Sequence, residues 1–222
     1  GPVVGDGNGH IQPLERHGIK LMSIGFLLES DKAAVIWRGP MLQGALMQFL
    51  KDVHWGTLDY LIVDLPPGTG DVALTLTQNV RASGAVLVTT PQGVALADVY
   101  KAASMLQTVK VPILGVVENE SYFVCDGCDK RHELFGSGGG QLIADFSSAP
   151  LLGQIPVDPA VRESGDSGTP VMRSAPDSSV GKAIKSIAER IADRVSVASV
   201  RPLPEPSPNG PGSKNRHLPI AR

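Results

Sequence analysis

The two cysteines of the chain, Cys125 and Cys128, lie three positions apart in a CxxC motif. A pair this close in sequence cannot cross-link distant parts of a fold, so the motif is better suited to binding a metal. Metal centres built on cysteine take about four ligands, and this chain supplies two thiolates. A complete thiolate site would need a second copy of the protein, which predicts a dimer with a metal or cluster shared between its subunits.

Three other interpretations of the CxxC motif stay open. It could be a thioredoxin-like redox couple, a zinc half-site completed by His132, or a loop that carries two thiols by chance. Redox motifs of this type begin a helix, whereas Asp126 and Gly127 between the cysteines favour a turn. The spacing alone does not decide among these possibilities.

A second group of candidate residues lies in the stretch DLPPGTGD, which begins at Asp64 and follows the end of an apolar run. Ligands of open parallel α/β sheets bind at the carboxyl ends of the strands. An aspartate there can hold Mg²⁺, and Gly68 in the following turn lets a backbone N–H approach a phosphate. The stretch therefore predicts a Walker B aspartate and a switch region, with an ordinary Pro/Gly turn as the alternative.

The phosphate-binding motif that should accompany a Walker B aspartate is missing from this sequence. No GxxxxGK(S/T) loop occurs, and GxGxxG, a nucleophile elbow and HExxH are also absent. The glycine cluster at 136–140 has no following lysine, so we expect it to provide flexibility and the start of a helix.

Apolar runs alternate with segments of helical spacing, which predicts an α/β fold with a mainly parallel sheet flanked by helices. The predicted strands are 20–28, 58–65, 84–90, 111–119 and 149–157, and the predicted helices are 41–50, 72–80, 96–109, 141–146 and 180–195. The last helix places Ile184, Ile187, Ile191 and Val195 on one apolar stripe. We assign 19–198 to this domain, 1–18 to an irregular segment and 199–222 to a disordered Pro-rich tail.

Composition restricts the classes of function. The chain has 222 residues, of which 42% are hydrophobic, and its net charge of −2 predicts no binding to nucleic acid or membrane. No apolar run approaches the roughly 20 residues that span a bilayer, and the first residues contain no secretory signal. We therefore expect a cytoplasmic protein with reduced cysteines.

The chain closely resembles the Mrp/ApbC-type iron–sulfur cluster carrier ATPases, in the deviant-Walker branch of P-loop NTPases that includes MinD and ParA. The resemblance runs from about Gly18 to Arg194. It rests on blocks in the family's order: WRGP (37–40), DLPPGTGD (64–71), TTPQGVALAD (89–98), GVVENESYFVCDGC (115–128), FGSGGG (135–140) and LLGQIPVDPAVRESGDSGTP (151–170). Several blocks in one order are more specific than any single motif.

The resemblance implies roles for the residues near the nucleotide. Asp64 matches the Walker B aspartate, and Pro67, Gly68 and Gly70 match the residues that shape switch II. Asn119 matches the asparagine that recognises the adenine base.

Two further pairs follow from the same resemblance. Pro156 and Val157 would lie against the adenine from the end of the next strand. Cys125 and Cys128 match the CxxC whose two copies, one per subunit, hold a bridging [4Fe–4S] cluster.

The function implied is that of a homodimer that carries a [4Fe–4S] cluster to apo iron–sulfur proteins and, in the complete protein, binds and hydrolyses ATP with Mg²⁺. A MinD/ParA-like ATPase that recruits partners and a zinc-stabilised structural dimer are the alternatives. Family members begin with a KGGVGKS-type Walker A and a switch I, which this sequence lacks. We expect an N-terminally incomplete P-loop NTPase-like domain that does not hydrolyse ATP alone.

Overall fold

The computed structural model describes residues 10–27, 39–66, 71–125 and 127–200. The strands are β1 (Leu14–Arg16), β2 (Ile19–Leu21), β3 (Ala85–Thr89), β4 (Ile113–Glu118), β5 (Phe123–Val124), β6 (Arg131–His132) and β7 (Leu151–Gln154). The helices are α1 (Gly39–Lys51), α2 (Asp71–Asn79), α3 (Gly93–Thr108), α4 (Gly139–Ser147), α5 (Pro159–Ser167), α6 (Val171–Ser174) and α7 (Ser179–Val200).

The centre of the described fold is a parallel sheet with the strand order β3-β4-β7. Each of these strands is a short apolar run, as expected when both faces of a sheet are covered. The middle strand β4 is buried from Leu114 to its end at Glu118. The strands predicted at 84–90, 111–119 and 149–157 are confirmed, and so is the mainly parallel α/β fold.

Two helices cover one face of this sheet. From α3 and α4, Leu106 and Ile143 pack with Leu87 of β3 and Val116 of β4 in one buried cluster. Burying an aliphatic side chain of this size contributes about 1.5–3 kcal/mol. This face holds the larger of the two described cores.

The long helix α7 covers the opposite face. Ile187 of α7 is buried against Val117 and Leu152, with Ile191 packed beside them, so the predicted apolar stripe is confirmed at these two positions. The contact is close, because a Cβ on Gly153 would lie 2.6 Å from Cγ1 of Ile187. A glycine is therefore needed where the helix presses on the sheet.

The predicted parallel strand at 20–28 is wrong. Residues 19–21 form β2, which pairs antiparallel with β1 in a hairpin, and Ile24–Leu27 form a 3-10 turn. His17 and Gly18 both have positive φ, which closes the hairpin. The Ser23 hydroxyl then accepts a hydrogen bond from the N–H of Gly25 at 3.2 Å, and such local bonds favour turns over strands. Part of the segment 1–18, which the sequence predicts to be irregular, therefore belongs to this hairpin.

The predicted strand at 58–65 is not formed either. Residues 57–66 have no regular secondary structure, and Ile62 is 89% exposed. An apolar run becomes a strand when it has neighbours to pair with and faces to bury. The run pairs with no described strand, so its apolar composition alone does not make it a strand.

The remaining predicted helices are confirmed, with boundaries shifted by one to five residues. Packing between α1 and α2 joins the segments on either side of 52–66, and the indole N–H of Trp55 donates to the carbonyl of Phe49 at 2.7 Å.

The predicted tail lies outside the described residues from 201 onward. Among the helices described, none has the length and apolarity that crossing a bilayer requires.

Candidate functional site

The CxxC motif lies at the tip of the antiparallel hairpin formed by β5 and β6, which we call the cysteine hairpin (residues 123–132). The N–H of Cys125 donates to the carbonyl of Lys130 at 3.0 Å, and the N–H groups of Cys128 and Asp129 donate to the carbonyl of Cys125 at 3.3 and 2.8 Å. Asp129 has a φ of 55°, in the left-handed region that tight turns use. The motif therefore lies in a turn, as Asp126 and Gly127 predicted.

The two thiols differ in exposure. Cys125 is half-buried and Cys128 is exposed, and the two are not joined in a disulfide. In the described residues, no group of three or more His, Cys, Asp and Glu side chains could hold a metal ion. His132 therefore does not complete a zinc site with the two cysteines. The motif also differs from a helix-start redox couple, because the next helix, α4, begins at Gly139.

A buried carboxylate lies at the base of the cysteine hairpin. Glu118, the last residue of β4, is fully buried. Its Oε1 accepts hydrogen bonds from the Ser121 hydroxyl at 2.5 Å and the Gln154 amide at 2.7 Å. Its Oε2 accepts the backbone N–H of Gly140 at 2.5 Å. All three partners are donors, which suits a carboxylate because it can accept at both oxygens.

The glycines that begin α4 have a steric role that the sequence analysis did not foresee. A Cβ on Gly140 would lie 2.8 Å from Cβ of Glu118, and one on Gly139 would lie 3.0 Å from the backbone of Pro91. Real Cβ atoms essentially never approach as closely as 2.8 Å, and 3.0 Å is tighter than nine in ten real Cβ contacts. The glycine cluster does start a helix as expected, but these two glycines are buried and permit close packing.

Residues predicted to face the adenine lie side by side at the carboxyl edge of the sheet. The N–H of Asn119 donates to the carbonyl of Thr89 at 2.7 Å. Beyond the strands, the N–H of Ser121 donates to the carbonyl of Ile155 at 3.0 Å, and the N–H of Val157 to that of Tyr122 at 2.7 Å. The structure therefore brings the segment from Asn119 to Tyr122 next to the segment that holds Pro156 and Val157.

The same backbone ladder leads directly into the cysteine hairpin, because Tyr122 precedes β5. Arg131 of β6 places its guanidinium carbon 3.8 Å from the ring centroid of Tyr122, and its Nη2 donates to Oε1 of Gln154 at 3.4 Å. The segment from Asn119 to Tyr122 and the two cysteines are consequently parts of one connected structure.

The predicted Walker B region is described only in part. Asp64 is exposed within the irregular segment 57–66. Pro67, Gly68 and Gly70 lie outside the described residues. The metal-binding role of Asp64 stays a prediction.

Sequence reasoning missed the residues that hold the hairpin, namely Glu118, Ser121, Arg131 and Gln154. One signal was available for the first of them. Glu118 directly follows the apolar run ILGVV of β4 without a turn residue between them, and a charged residue inside a buried strand needs partners. Ser121 and Gln154 carry no comparable signal, because polar residues of this size are common in exposed loops.

Comparison with known proteins places these features in a family. Residues 3–192 match the family described as ParA, NUBPL iron-transfer P-loop NTPase. A protein of Synechocystis sp. named iron-sulfur cluster carrier protein is 51% identical over 191 residues, covering 86% of this chain and 54% of that protein. An Arabidopsis thaliana protein named iron-sulfur protein required for NADH dehydrogenase, mitochondrial, is 48% identical over 179 residues, 81% of this chain and 57% of the relative.

Solved structures agree with the fold. A nucleotide-binding protein from Archaeoglobus fulgidus in complex with ADP is 39% identical with a TM-score of 0.65, covering 79% of this chain and 68% of that one. The cell division ATPase MinD of Pyrococcus furiosus is 28% identical with a TM-score of 0.52, covering 72% and 63%. The chain spans about half the length of the curated relatives it matches. This chain belongs to the NUBPL iron-transfer family of P-loop NTPases, within the ParA group.

Proposed function

We propose that this chain is part of an iron–sulfur cluster carrier, in which a homodimer binds a [4Fe–4S] cluster between its subunits and delivers it to apo iron–sulfur proteins. The cysteine hairpin carries the proposal, because it presents one exposed and one half-buried thiol together at the tip of a turn. The family's description and the names of the relatives support it. The absence of further His, Asp or Glu ligands among the described residues favours a site that a second copy completes.

The cluster is cargo, and its ligands must be able to leave. Two cysteines from each subunit supply the four thiolates that such a cluster takes. A recipient thiol loses its proton and its sulfur binds iron. One Fe–S bond to the carrier then breaks, and the released carrier thiolate takes up a proton. The oxidation state of the cluster does not change, and the exposed Cys128 is the ligand that a recipient can displace first.

Nucleotide binding is the second part of the proposal, and we assign it to the complete protein. The side-chain amide of Asn119 would contact the adenine base, with Pro156 and Val157 against the ring. The backbone bonds that set these residues side by side support this arrangement. The ADP complex of the Archaeoglobus fulgidus relative supports a nucleotide as the ligand.

The phosphate end of the nucleotide involves the partly described segment. We propose that Asp64 holds Mg²⁺ and that Pro67, Gly68 and Gly70 shape the turn beside the γ-phosphate, as in other P-loop NTPases. ATP hydrolysis is a property that we assign to the complete protein in the cytoplasm.

Anaerobic reconstitution with iron and sulfide tests the carrier function. We expect about two iron and two sulfide per chain in a dimer by native mass, which corresponds to one four-iron cluster per pair of subunits. Cys125→Ala and Cys128→Ala should each abolish this loading. Ser137→Ala, which removes an exposed hydroxyl outside the hairpin, is the matched control and should load normally.

The outcomes distinguish the alternatives. A full iron load in Cys125→Ala would contradict the proposal, because the bridging site needs both pairs of thiolates. Stable zinc in protein purified without oxygen, with no uptake of iron, would favour the structural zinc dimer. An ATP-dependent dimer that binds neither metal would favour the partner-recruiting ATPase.

A further inference from the structure

Both ends of the chain segment that carries the cysteines meet at Glu118. The chain leaves β4 at Asn119, forms the cysteine hairpin, and rejoins the core where α4 begins. Glu118 accepts a hydrogen bond from Ser121 on the outgoing side and from the N–H of Gly140 on the returning side. The Glu118 side chain therefore joins the two ends of the segment 119–139.

The third partner of Glu118 links its carboxylate to the hairpin strands. The amide nitrogen of Gln154 donates to Glu118 at 2.7 Å, and the amide oxygen of Gln154 accepts from Arg131 of β6 at 3.4 Å. Gln154 is also the last residue of β7, immediately before the segment that holds Pro156. Glu118 thus contacts the outgoing chain, the returning chain and the neighbouring strand end.

A carboxylate at this position is unfavourable unless it has partners. Glu118 is fully buried, and the preceding residues of β4 are apolar. Burying such a group costs free energy that hydrogen bonds must offset, and bonds to a charged acceptor are the stronger ones. An aliphatic residue would be better suited to the strand core, so the position serves the contacts that the carboxylate makes.

We propose that Glu118 is a positioning residue that holds the cysteine hairpin in a fixed orientation relative to the nucleotide-facing end of the sheet. Asn119, the residue predicted to contact the base, is its covalent neighbour, and the N–H of Asn119 is bonded to Thr89 of β3. A movement of Asn119 is therefore transmitted through Glu118 to both ends of the segment 119–139. The positioning rests on the contacts described here, and its consequence for cluster release rests on the proposed function.

Two substitutions separate the hydrogen bonds of Glu118 from its charge. Glu118→Ala removes both acceptor oxygens, and with them three hydrogen bonds, and leaves the Gly140 N–H buried without its partner. Glu118→Gln keeps an oxygen for Gly140, and its NH₂ can donate to the Ser121 hydroxyl and to a reoriented Gln154 amide. Ser121→Ala is a milder variant that removes a single contact. Glu163→Ala, which deletes an exposed carboxylate in α5, is the control.

Hydrogen exchange measured by mass spectrometry on the metal-free chain tests the positioning directly. We expect Glu118→Ala to speed exchange across 119–140 by about tenfold or more, with α7 unchanged. Ser121→Ala should give a smaller increase in the same segment, and Glu118→Gln should stay within about threefold of the parent chain. Unchanged exchange at 119–140 in both Glu118→Ala and Ser121→Ala would overturn the proposal. So would an equal increase in all helices.

A second measurement addresses the cargo. After reconstitution, we expect Glu118→Ala to lose its cluster about tenfold faster to a chelator, while Glu118→Gln keeps the parent's rate and visible absorption spectrum. Equal loss rates in the parent chain and Glu118→Ala would overturn the link to release. If the parent chain takes up no cluster, the proposed function fails, and the exchange measurement still decides whether Glu118 positions the hairpin.

Discussion

The guanidinium of Arg131 stacks over the ring of Tyr122, with its carbon 3.8 Å from the ring centroid. The two residues lie on opposite sides of the cysteine hairpin, one in β6 and one just before β5. The stacking therefore joins the outgoing and returning chains below the cysteines. It also holds Arg131 where it can donate to Gln154.

Replacing this arginine should loosen the hairpin without unfolding the protein. A partly exposed cation–π contact contributes about 0.5–1 kcal/mol, so Arg131→Ala should speed hydrogen exchange at 122–132 a few-fold. Arg131→Lys should restore little of the protection, because an ammonium lacks the planar group that stacks and donates together. Full protection in the lysine variant would show that charge alone is sufficient. The thermal midpoint should fall by no more than about 4 °C.

The two thiols should react at different rates in the metal-free protein. Cys128 is exposed and Cys125 is half-buried, and reaction with an alkylating agent requires access to the sulfur. We expect mass spectrometry of a limited iodoacetamide reaction to find Cys128 modified several-fold faster. Equal rates, or faster modification of Cys125, would contradict the geometry of the turn. Denatured protein, in which the two should react alike, is the control.

Two glycine substitutions should have opposite effects on stability. Gly140→Ala places a Cβ 2.8 Å from Cβ of Glu118, and such overpacking costs about 1–3 kcal/mol. Gly44→Ala in α1 meets nothing within 4 Å and should gain about 0.5–1 kcal/mol from the higher helix propensity of alanine. Denaturant unfolding of both variants checks the pair. A neutral Gly140→Ala would mean that α4 can shift away from β4 at little cost.

The start of α5 offers a prediction of local stability. The Asp158 carboxylate caps this helix by accepting the N–H of Ala160 at 2.8 Å, and Pro159 occupies the first turn. Asp158→Ala should lower the free energy of unfolding by about 1 kcal/mol. Asp158→Asn should retain most of the stability, because an asparagine caps equally well. Asp166→Ala, at an exposed site near the other end of the helix, serves as the control for loss of charge.

The sheet strands were predictable because their pattern and their environment agree. The runs at 84–90, 111–119 and 149–157 are apolar, and each has a neighbouring strand and covering helices. The run at 58–65 is also largely apolar, yet it pairs with no described strand. Composition cannot distinguish these cases, because a buried strand depends on distant partners.

The candidate site was predictable in its position and not in its support. Asp126 and Gly127 predicted that the two cysteines lie in a turn, which the structure confirms, and their metal-binding role stays a prediction. The strands of the cysteine hairpin have only two residues each, too few for an alternating pattern to appear. Helix α5 was missed although Asp158 followed by Pro159 is a recognised start signal. The role of Glu118 depends on Gly140 and Gln154, 22 and 36 positions away along the chain.

The shortness of β5 and β6 has a practical consequence for anyone who purifies this protein. The hairpin contributes little to the cores around Val116 and Ile187, and weakly packed segments open far more easily than the rest of a fold. Air oxidation of the thiols can therefore proceed while the circular dichroism spectrum and the melting curve stay normal. A preparation that passes both checks can already have lost its reduced thiols, so a thiol titration is the appropriate test of an intact sample.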